Sequence, residues 1–431
     1  MKFSMMGKKW AKAGASIVVS AAMVSAMGLA GCTANNSSSS SSSTEQTASS
    51  EAADGVIEVT ITDDNCVVSA NSAKSGTVTF SVTNNGTAVN EFEILAEDQL
   101  QIVTERENIT PGTTVEVTAI LETGNYYTAS KTNMVGALVG ATAFTVEDSG
   151  EEVVVSDDVK ELQEKAVTNY TAYIKDQAGQ LIDATNEFLE AYEGGDTEKA
   201  KELYPKARMY YERVEPTAES FGDIDPNLDL READAKAGDV EDMADWKGWH
   251  AIEKDLWEPK KAGYTDKQRK ALAKALKEDT QAFYKLVYSD DFSVSLTDIT
   301  NGAISLMEEV ATSKITGEEE AFSHTDLYDF QANVEGAKVA YGNVKDILEI
   351  NNADSVSKID AAFESIEKLL AEYNTGDTKN PVYPDYTEID PKAGADQTDE
   401  NLSDKAIELS DAVDVLRSAL ANISSAVTNT K

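Results

Sequence analysis

The chain has 431 residues, a formal net charge of −40 at pH 7 and two cysteines. This length suffices for two or three domains. The acidic excess excludes nucleic acid as a partner, because no basic surface is available to neutralise phosphates. An acidic surface instead raises the local concentration of cations, although solubility at an exposed cell surface accounts for the same charge.

Residues 1–31 have the pattern of a lipoprotein signal peptide. A lysine-containing segment at residues 2–12 precedes an apolar stretch at residues 13–29, and Gly31 stands directly before Cys32. We predict that residues 1–31 are removed and that Cys32 is lipidated, which places the protein on the extracytoplasmic face of the cell membrane. The alternative is a plain secretory signal followed by an incidental cysteine.

Residues 32–55 are predicted to form a flexible linker, since their serine-rich composition cannot bury apolar surface. A linker of about 24 residues has a root-mean-square span of roughly 25 Å, enough to lift a folded body off a membrane. No later apolar run is long enough to span a bilayer. We therefore expect a protein that is tethered to the membrane and not embedded in it.

Residues 56–150 are predicted to form a small all-β sandwich. Apolar and polar residues alternate at 56–62 and at 77–83, and Asn84-Asn85-Gly86 is typical of a turn. Further strands are expected at residues 91–95, 100–104, 114–121 and 141–146.

Residues 151–431 change to a helical period and are predicted to form an all-α helical-bundle domain. A first long helix is expected to end at Gly194-Gly195-Asp196. Further helices are expected at residues 196–219, 240–257, 266–288, 294–313, 325–350, 354–374 and 399–427.

Both histidines of the chain lie in acidic and aromatic segments. His250 and Glu253 are three residues apart, so on a helix they project from one face. An imidazole beside a carboxylate suits a transition metal such as iron or zinc. Glu212 and Glu215 have the same spacing, and for them a solvated acidic face is the alternative.

Several separated segments resemble the EfeO family of extracytoplasmic iron-uptake components, whose members join a cupredoxin-like domain to an imelysin-like domain. The segments with this resemblance are residues 91–95 and 105–112 in the β region, and residues 210–216, 249–257, 313–319 and 323–336 in the helical region. The resemblance implies an N-terminal cupredoxin-like sandwich followed by an imelysin-like helical domain. It also implies delivery of iron to a membrane permease, with a haem-type peroxidase as a further partner.

The resemblance also implies a set of metal ligands. In this family the H-x-x-E pair is a proposed metal site, assisted by acidic residues upstream. Carried onto this chain, the pair is His250 and Glu253, and Glu212, Glu215 and Asp229 complete the shell. The implied metal is iron, ferrous or ferric, with copper or zinc as alternatives.

His324 and Asp326, two residues later, are a second candidate cation site. We favour a structural role for the segment around His324. Thr325 would cap a helix that begins near Asp326, and Tyr328 and Phe330 would pack inward.

In the β region, Cys66, Glu91 and Glu93 form a further candidate site for a weakly held cation, and Met134 is a possible additional ligand. Cys66 serves equally well as a small buried hydrophobe. Residues 56–148 contain no histidine, which excludes a type-one copper site. The second cysteine that family members carry after a Gly-x-Tyr segment is also missing here.

Two other functions are weighed against iron binding. A zinc peptidase of the zincin type requires H-E-x-x-H, but Ala251 follows His250 and Lys254 stands one turn later. The chain is therefore not predicted to be an enzyme. The other alternative is a surface protein for adhesion or polysaccharide binding, in which any metal is structural.

Overall fold

The computed structural model describes residues 56–150, 158–239, 243–377, 379–394, 397–398 and 401–428. The predicted signal peptide, the linker and Cys32 lie outside these residues. Within the described ranges, no helix has an apolar stretch of the length that a bilayer crossing requires.

The N-terminal part is a β-sandwich of two sheets, with strand order β2-β1-β4-β7 in one sheet and β3-β9-β8-β5-β6 in the other. The strands are β1 Val56–Ile61, β2 Cys66–Val68, β3 Ser72–Lys74, β4 Gly76–Asn84, β5 Asn90–Leu95, β6 Ile102–Ile109, β7 Thr114–Leu121, β8 Gly124–Thr132 and β9 Val139–Glu147. Inward-facing residues of both sheets form the core, where the ring of Phe80 lies 5.5 Å from that of Phe92 and 5.6 Å from that of Phe144.

Strand β8 was not among the predicted strands, although it pairs with both β5 and β9. Its stretch from Thr128 to Lys131 is polar in sequence but buried, because one face of this sheet is covered by the helical part of the chain. A strand whose polar residues are buried by another domain does not show the alternation of a half-exposed strand.

The C-terminal part is helical. Its α-helices are α1 Val159–Gly194, α2 Thr197–Glu212, α3 Ile224–Asp229, α4 Glu232–Asp234, α5 Trp249–Trp257, α6 Pro259–Ala262, α7 Asp266–Val287, α8 Leu296–Thr312, α9 Asp326–Tyr373, α10 Asp404–Leu420 and α11 Ile423–Thr428. Short 3₁₀ turns at Glu215–Phe221, Met243–Asp245, Lys314–Thr316 and Tyr386–Glu388 connect some of them.

The helix boundaries differ from the predicted ones in four places. The helix predicted at 399–427 begins at Asp404 and is divided into α10 and α11. The helix predicted at 196–219 ends at Glu212 and gives way to the 3₁₀ turn that contains Pro216, a residue that cannot donate a helical hydrogen bond. The helix predicted at 240–257 begins only at Trp249, after Gly248. The two helices predicted at 325–350 and 354–374 form one element, α9, which is interrupted at Asn352 by a non-helical φ of −159°.

Charged side chains join the sandwich to the helical domain. Lys131 of β8 is fully buried, forms an ion pair with Asp176 of α1, and lies 3.8 Å from Glu93. Lys175 of α1 forms a second ion pair, at 3.1 Å, with Glu107 of β6. The contact between the domains therefore depends on paired charges as well as on apolar packing.

Glu105 at this junction should make stability depend on pH. Burial, assisted by Glu93 and Glu107, raises its pKa to about 8. The folded protein keeps this proton while the unfolded chain loses it at the ordinary pKa of a glutamate. The stability from this group is therefore fully present below that pKa and is lost as the pH rises towards about 8.

Urea titrations between pH 5 and pH 8 should show the free energy of unfolding falling with pH, and Glu105→Gln should flatten this dependence. Glu116→Gln, on the exposed face of β7, is the matched control and should leave the slope unchanged. An equal slope in wild type and Glu105→Gln would contradict the assignment.

Candidate metal centre

A close backbone approach places His250 beside Asp229. Gly248, with φ of +93°, precedes α5, and a side chain at this position would collide with the carbonyl of Leu228. Only glycine permits both this conformation and this contact. The start of α5 therefore packs directly on the end of α3.

Arg208 of α2 lies at the middle of a buried acidic cluster and is itself fully buried. Its guanidinium forms ion pairs with Glu212 and Asp229, and it lies 2.6 Å from Glu320 and 3.2 Å from Glu319. These carboxylates come from α2, from α3 and from the segment that precedes α9. The planar guanidinium of Arg208, with its five N–H donors, therefore binds carboxylates from three parts of the chain.

Lys314 is the second buried cation of the cluster. Its ammonium lies 3.0 Å from Glu212 and 2.8 Å from Glu215. The side-chain amide of Asn333 donates to the same two carboxylates, at 2.9 and 2.7 Å. Glu212 and Glu215 are therefore neighbours, as their spacing predicts, but their oxygens contact an ammonium and an amide.

His250 lies between two pairs of carboxylates. Its Nδ1 is 3.2 Å from Glu253, while its Nε2 is 3.3 Å from Asp229 and 3.6 Å from Glu319. Nε2 is buried and makes no well-aligned hydrogen bond, and its contacts with Asp229 and Glu319 are those of an ion pair.

Two groups of potential ligand atoms, each lying within 4.8 Å of one another, share this imidazole. They are Asp229, His250 and Glu319 on one side, and His250, Glu253 and Glu320 on the other.

The electrostatics favour negative charge on the Nε2 side. Burial opposes ionisation of Asp229, but Arg208 and His250 hold its pKa well below its usual range. Burial likewise opposes ionisation of Glu319, whose pKa is held low by Lys314 and His250. Both carboxylates are therefore ionised at neutral pH.

At other carboxylates of the cluster, a raised pKa favours the protonated, uncharged form. Burial and the charge of Glu212 raise the pKa of Glu215 well above its usual range. Burial and neighbouring carboxylates do the same for Glu320 and Asp329. The pKa of His250 is also high: burial and Arg208 lower it, but the carboxylates around the ring outweigh them.

A cavity of about 440 Å³ borders the centre. Asp229 and Glu319 form part of its wall, and further acidic residues of the wall include Glu215, Asp225 and Glu309. Of the carboxylates around the His250 ring, the two beside Nε2 are the ones that line this cavity.

The structure brings His250, Glu253 and Asp229 together, with Glu212 and Glu215 in the adjoining network around Arg208 and Lys314. The sequence interpretation did not include Glu319, Glu320, Arg208 and Lys314. The run of three glutamates directly after Gly317 was the available signal for Glu319 and Glu320, since the first two glutamates of this run lie within a segment that carries the family resemblance.

His324 lies in a different environment. It has a positive φ of 54°, its backbone N–H donates to Glu320, and its carbonyl accepts from Tyr386. Asp326 accepts a backbone hydrogen bond from Glu320, and burial raises the pKa of Asp326 to about 7. Among the described residues, the groups of three clustered ligand atoms include neither His324 nor Asp326.

The predicted start of a helix near Asp326 agrees with α9, which begins at Asp326 with Thr325 in the N-cap position. The Thr325 side chain, however, makes no capping hydrogen bond. Tyr328 and Phe330 are buried, as expected.

The second candidate site, in the sandwich, is also not assembled as a cluster. Cys66 packs in the apolar core, where burial raises the pKa of its thiol to about 12. Glu91 and Glu93 are buried on β5, and Glu93 faces Lys131. No group of three ligand atoms in the described part of the chain contains these residues.

Comparison with known proteins places the chain in a family. Residues 166–413 match the imelysin family, which carries the label peptidase M75, and residues 26–139 match the cupredoxin-like domain. The chain is 36% identical over 325 residues to the iron uptake system component EfeO of Escherichia coli K12, covering 74% of this chain and 82% of that protein. The chain belongs to the EfeO family. EfeO of Shigella flexneri shows the same identity and coverage.

Membership of the EfeO family agrees with the sequence resemblance, and the predicted fold class is confirmed: a β-sandwich of the cupredoxin-like type precedes a helical imelysin domain. The relatives are named as components of iron uptake, and peptidase is a label of the domain family.

Removing the central cation should destabilise the helical domain. Arg208→Met leaves several buried carboxylates without their partner, and breaking buried pairs in this way costs about 3–5 kcal/mol. Arg417→Met removes an exposed ion pair with Asp414 and should cost less than about 1 kcal/mol. Chemical denaturation at pH 7 measures both, and similar losses for the two variants would contradict a central role for Arg208.

Proposed function

We propose that this protein is the lipid-anchored iron-binding component of an iron-uptake system. It captures iron outside the cytoplasmic membrane and passes it to a membrane permease. The observation that carries the proposal is the buried imidazole of His250, which has carboxylates within 3.6 Å of both ring nitrogens. The EfeO relatives, each named as an iron uptake system component, support the same function.

The chemistry of the donor set suits iron. Imidazole nitrogen and carboxylate oxygen bind first-row transition metals, and neither ferrous nor ferric iron requires a thiolate. The predicted ligands His250, Glu253 and Asp229 lie within this donor set, and Glu212 and Glu215 belong to the surrounding charge network. Copper and zinc would compete for the same donors, because a site of this kind is not selective by affinity alone.

The buried cations suit a carrier that must release its cargo. Arg208 contacts Asp229 and Glu319, which are also the carboxylates beside Nε2 of His250. In the metal-free protein the guanidinium therefore offsets the negative charge that iron would otherwise neutralise. Iron can leave without exposing the cluster to uncompensated repulsion.

The sequence and the family resemblance support a lipid anchor and two partners. Lipidated Cys32 holds the chain at the membrane, and residues 32–55 form a flexible linker between the membrane and the folded domains. The permease receives the iron, and the haem-type peroxidase acts in the same system. Proteolysis is not proposed, because the sequence lacks the paired histidines of a zincin site.

Iron should stabilise the protein through His250. A ligand that binds only the folded state adds about 2.7 kcal/mol of stability at a hundredfold excess over its dissociation constant. We expect iron to raise the melting temperature of the wild type, and His250→Ala to lose most of this rise.

The other histidine provides the matched control. His324→Asn retains a residue that tolerates positive φ and should keep the full iron-induced rise. Differential scanning calorimetry with ferrous and ferric iron measures both variants, and equal stabilisation of wild type and His250→Ala would eliminate the proposed iron site.

The lipid anchor should determine where the protein is found. Cys32→Ser removes the acceptor thiol, so the variant should leave the membrane and appear in a soluble extracytoplasmic fraction. Cys66→Ser is the control, because this cysteine is buried in the sandwich core and should not affect membrane attachment. Immunoblots of membrane and soluble fractions test this, and a membrane-bound Cys32→Ser protein would refute the anchor.

A further inference from the structure

One face of α7 carries a row of lysines whose charge is opposite to that of the chain as a whole. The chain has a net charge of −40, whereas residues 259–287 contain eight basic and three acidic side chains, a net charge of +5. The acidic excess of the sequence predicted that no basic surface is available. That expectation does not hold for α7.

The lysines share one side of the helix. With 3.6 residues per turn, their side chains project within about a quarter of the helix circumference and extend over about 27 Å of its axis. This face lies opposite the buried one, which contains Leu276 and Phe283. All members of this lysine stripe are exposed, and they are Lys267, Lys270, Lys274, Lys277 and Lys285.

Most of the charge of the lysine stripe has no counterion within the described part of the chain. Lys274 forms an ion pair, at 2.8 Å, with Glu278, and both side chains are mostly exposed. The other four lysines of the stripe form no ion pair with a described residue. Like charges one turn apart on a helix destabilise it. The stripe therefore has an energetic cost in the isolated protein, which an anionic surface would offset.

The residue type indicates what kind of surface this is. The single arginine of α7, Arg269, lies outside the stripe and pairs with Asp255 at 2.7 Å. Protein interfaces are enriched in arginine and depleted in lysine, since the rigid guanidinium fork matches individual carboxylates. A row of flexible, strongly hydrated ammonium groups suits a diffuse layer of negative charge, such as the headgroups of acidic phospholipids.

We propose that the lysine stripe of α7 binds the anionic headgroup surface of the membrane and orients the folded part of the chain on it. This inference rests on the lipid anchor of the proposed function, which keeps the stripe near the membrane. A linker of about 24 residues spans up to about 85 Å when extended, so the anchor alone does not fix which face meets the lipid. The stripe supplies that preference.

The attraction is electrostatic and does not require insertion into the bilayer. Among the described residues, the exposed large apolar side chains include none on α7. Through the side opposite the stripe, α7 packs on α1, α3 and α5. The proposed orientation therefore brings the helices that carry Asp229 and His250 within one helix layer of the membrane surface.

Sedimentation with vesicles tests the stripe on a protein that has no lipid of its own. The chain from Thr33 onward retains every residue that the structure describes and lacks Cys32. We expect it to bind vesicles of phosphatidylglycerol and phosphatidylcholine, and not vesicles of phosphatidylcholine alone. Binding should weaken with salt, because the Debye length falls from about 10 Å at 0.1 M to about 3 Å at 1 M.

A triple variant removes three of the unpaired charges: Lys267→Gln, Lys270→Gln and Lys277→Gln. Glutamine has nearly the helix propensity of lysine, so α7 should form as in the wild type. Each lysine near an anionic lipid surface contributes about fivefold in affinity, so this variant should bind the anionic vesicles about 100-fold more weakly.

The matched control changes the net charge equally, at exposed lysines of α1 and α9. It combines Lys165→Gln, Lys358→Gln and Lys368→Gln, and it should bind as the wild type does. Equal losses in the two triple variants would overturn the proposal, because total charge and not the stripe would then govern binding. Failure of the wild type to bind anionic vesicles would also overturn it.

A polyglutamate peptide provides the remaining comparison. If the wild type binds this peptide through the stripe but does not bind the vesicles, the surface belongs to an acidic protein partner and the membrane proposal is wrong. None of these measurements involves iron or a lipidated cysteine. Their failure would therefore leave the iron site and the lipid anchor to their own tests with His250→Ala and Cys32→Ser.

Discussion

The helical domain depends on the burial of one guanidinium. Transfer of an isolated charge out of water costs several kcal/mol, and only close opposite charges with good hydrogen-bond geometry offset that cost. Arg208 receives them from separate parts of the chain, including Glu212 in its own helix, Asp229 at the end of α3 and Glu319 before α9. The positions of these segments are therefore coupled: each must bring a carboxylate to the same point. The close approach at Gly248 places His250 beside the same cluster.

The buried cluster around Arg208 and Lys314 contains more carboxylates than cations. This excess of acidic groups affects both their pKa values and the binding of a cation. Arg208 and Lys314 ionise fully, whereas Glu215, Glu320 and Asp329 have raised pKa values because burial and like charges disfavour their ionised forms. A centre of this kind holds protons where it lacks positive charge. In the proposed function, a bound divalent or trivalent cation would supply that charge at one point, which would be a physical reason to keep such a costly interior.

Local sequence patterns predicted most of the helices and strands. They did not predict contacts between residues that are distant in sequence. The spacing of His250 and Glu253 correctly indicated one helical face, because both residues lie on a single turn of α5. Spacing could not reveal that the oxygens of Glu212 and Glu215 contact Lys314, which lies about a hundred positions away in sequence. It also could not identify Glu319, since that residue joins the site through the packing of a loop and not through helical periodicity. Strand β8 was not predicted for a related reason, because the helical domain buries its polar residues.

The junction between the two domains has a consequence for how each domain would behave alone. A small apolar cluster around Leu95, Ile102 and Ala172 is accompanied there by the paired charges of Lys131 and Asp176. Charged residues on both sides mean that each domain, if it existed alone, would present a face that water can solvate and not a large adhesive patch.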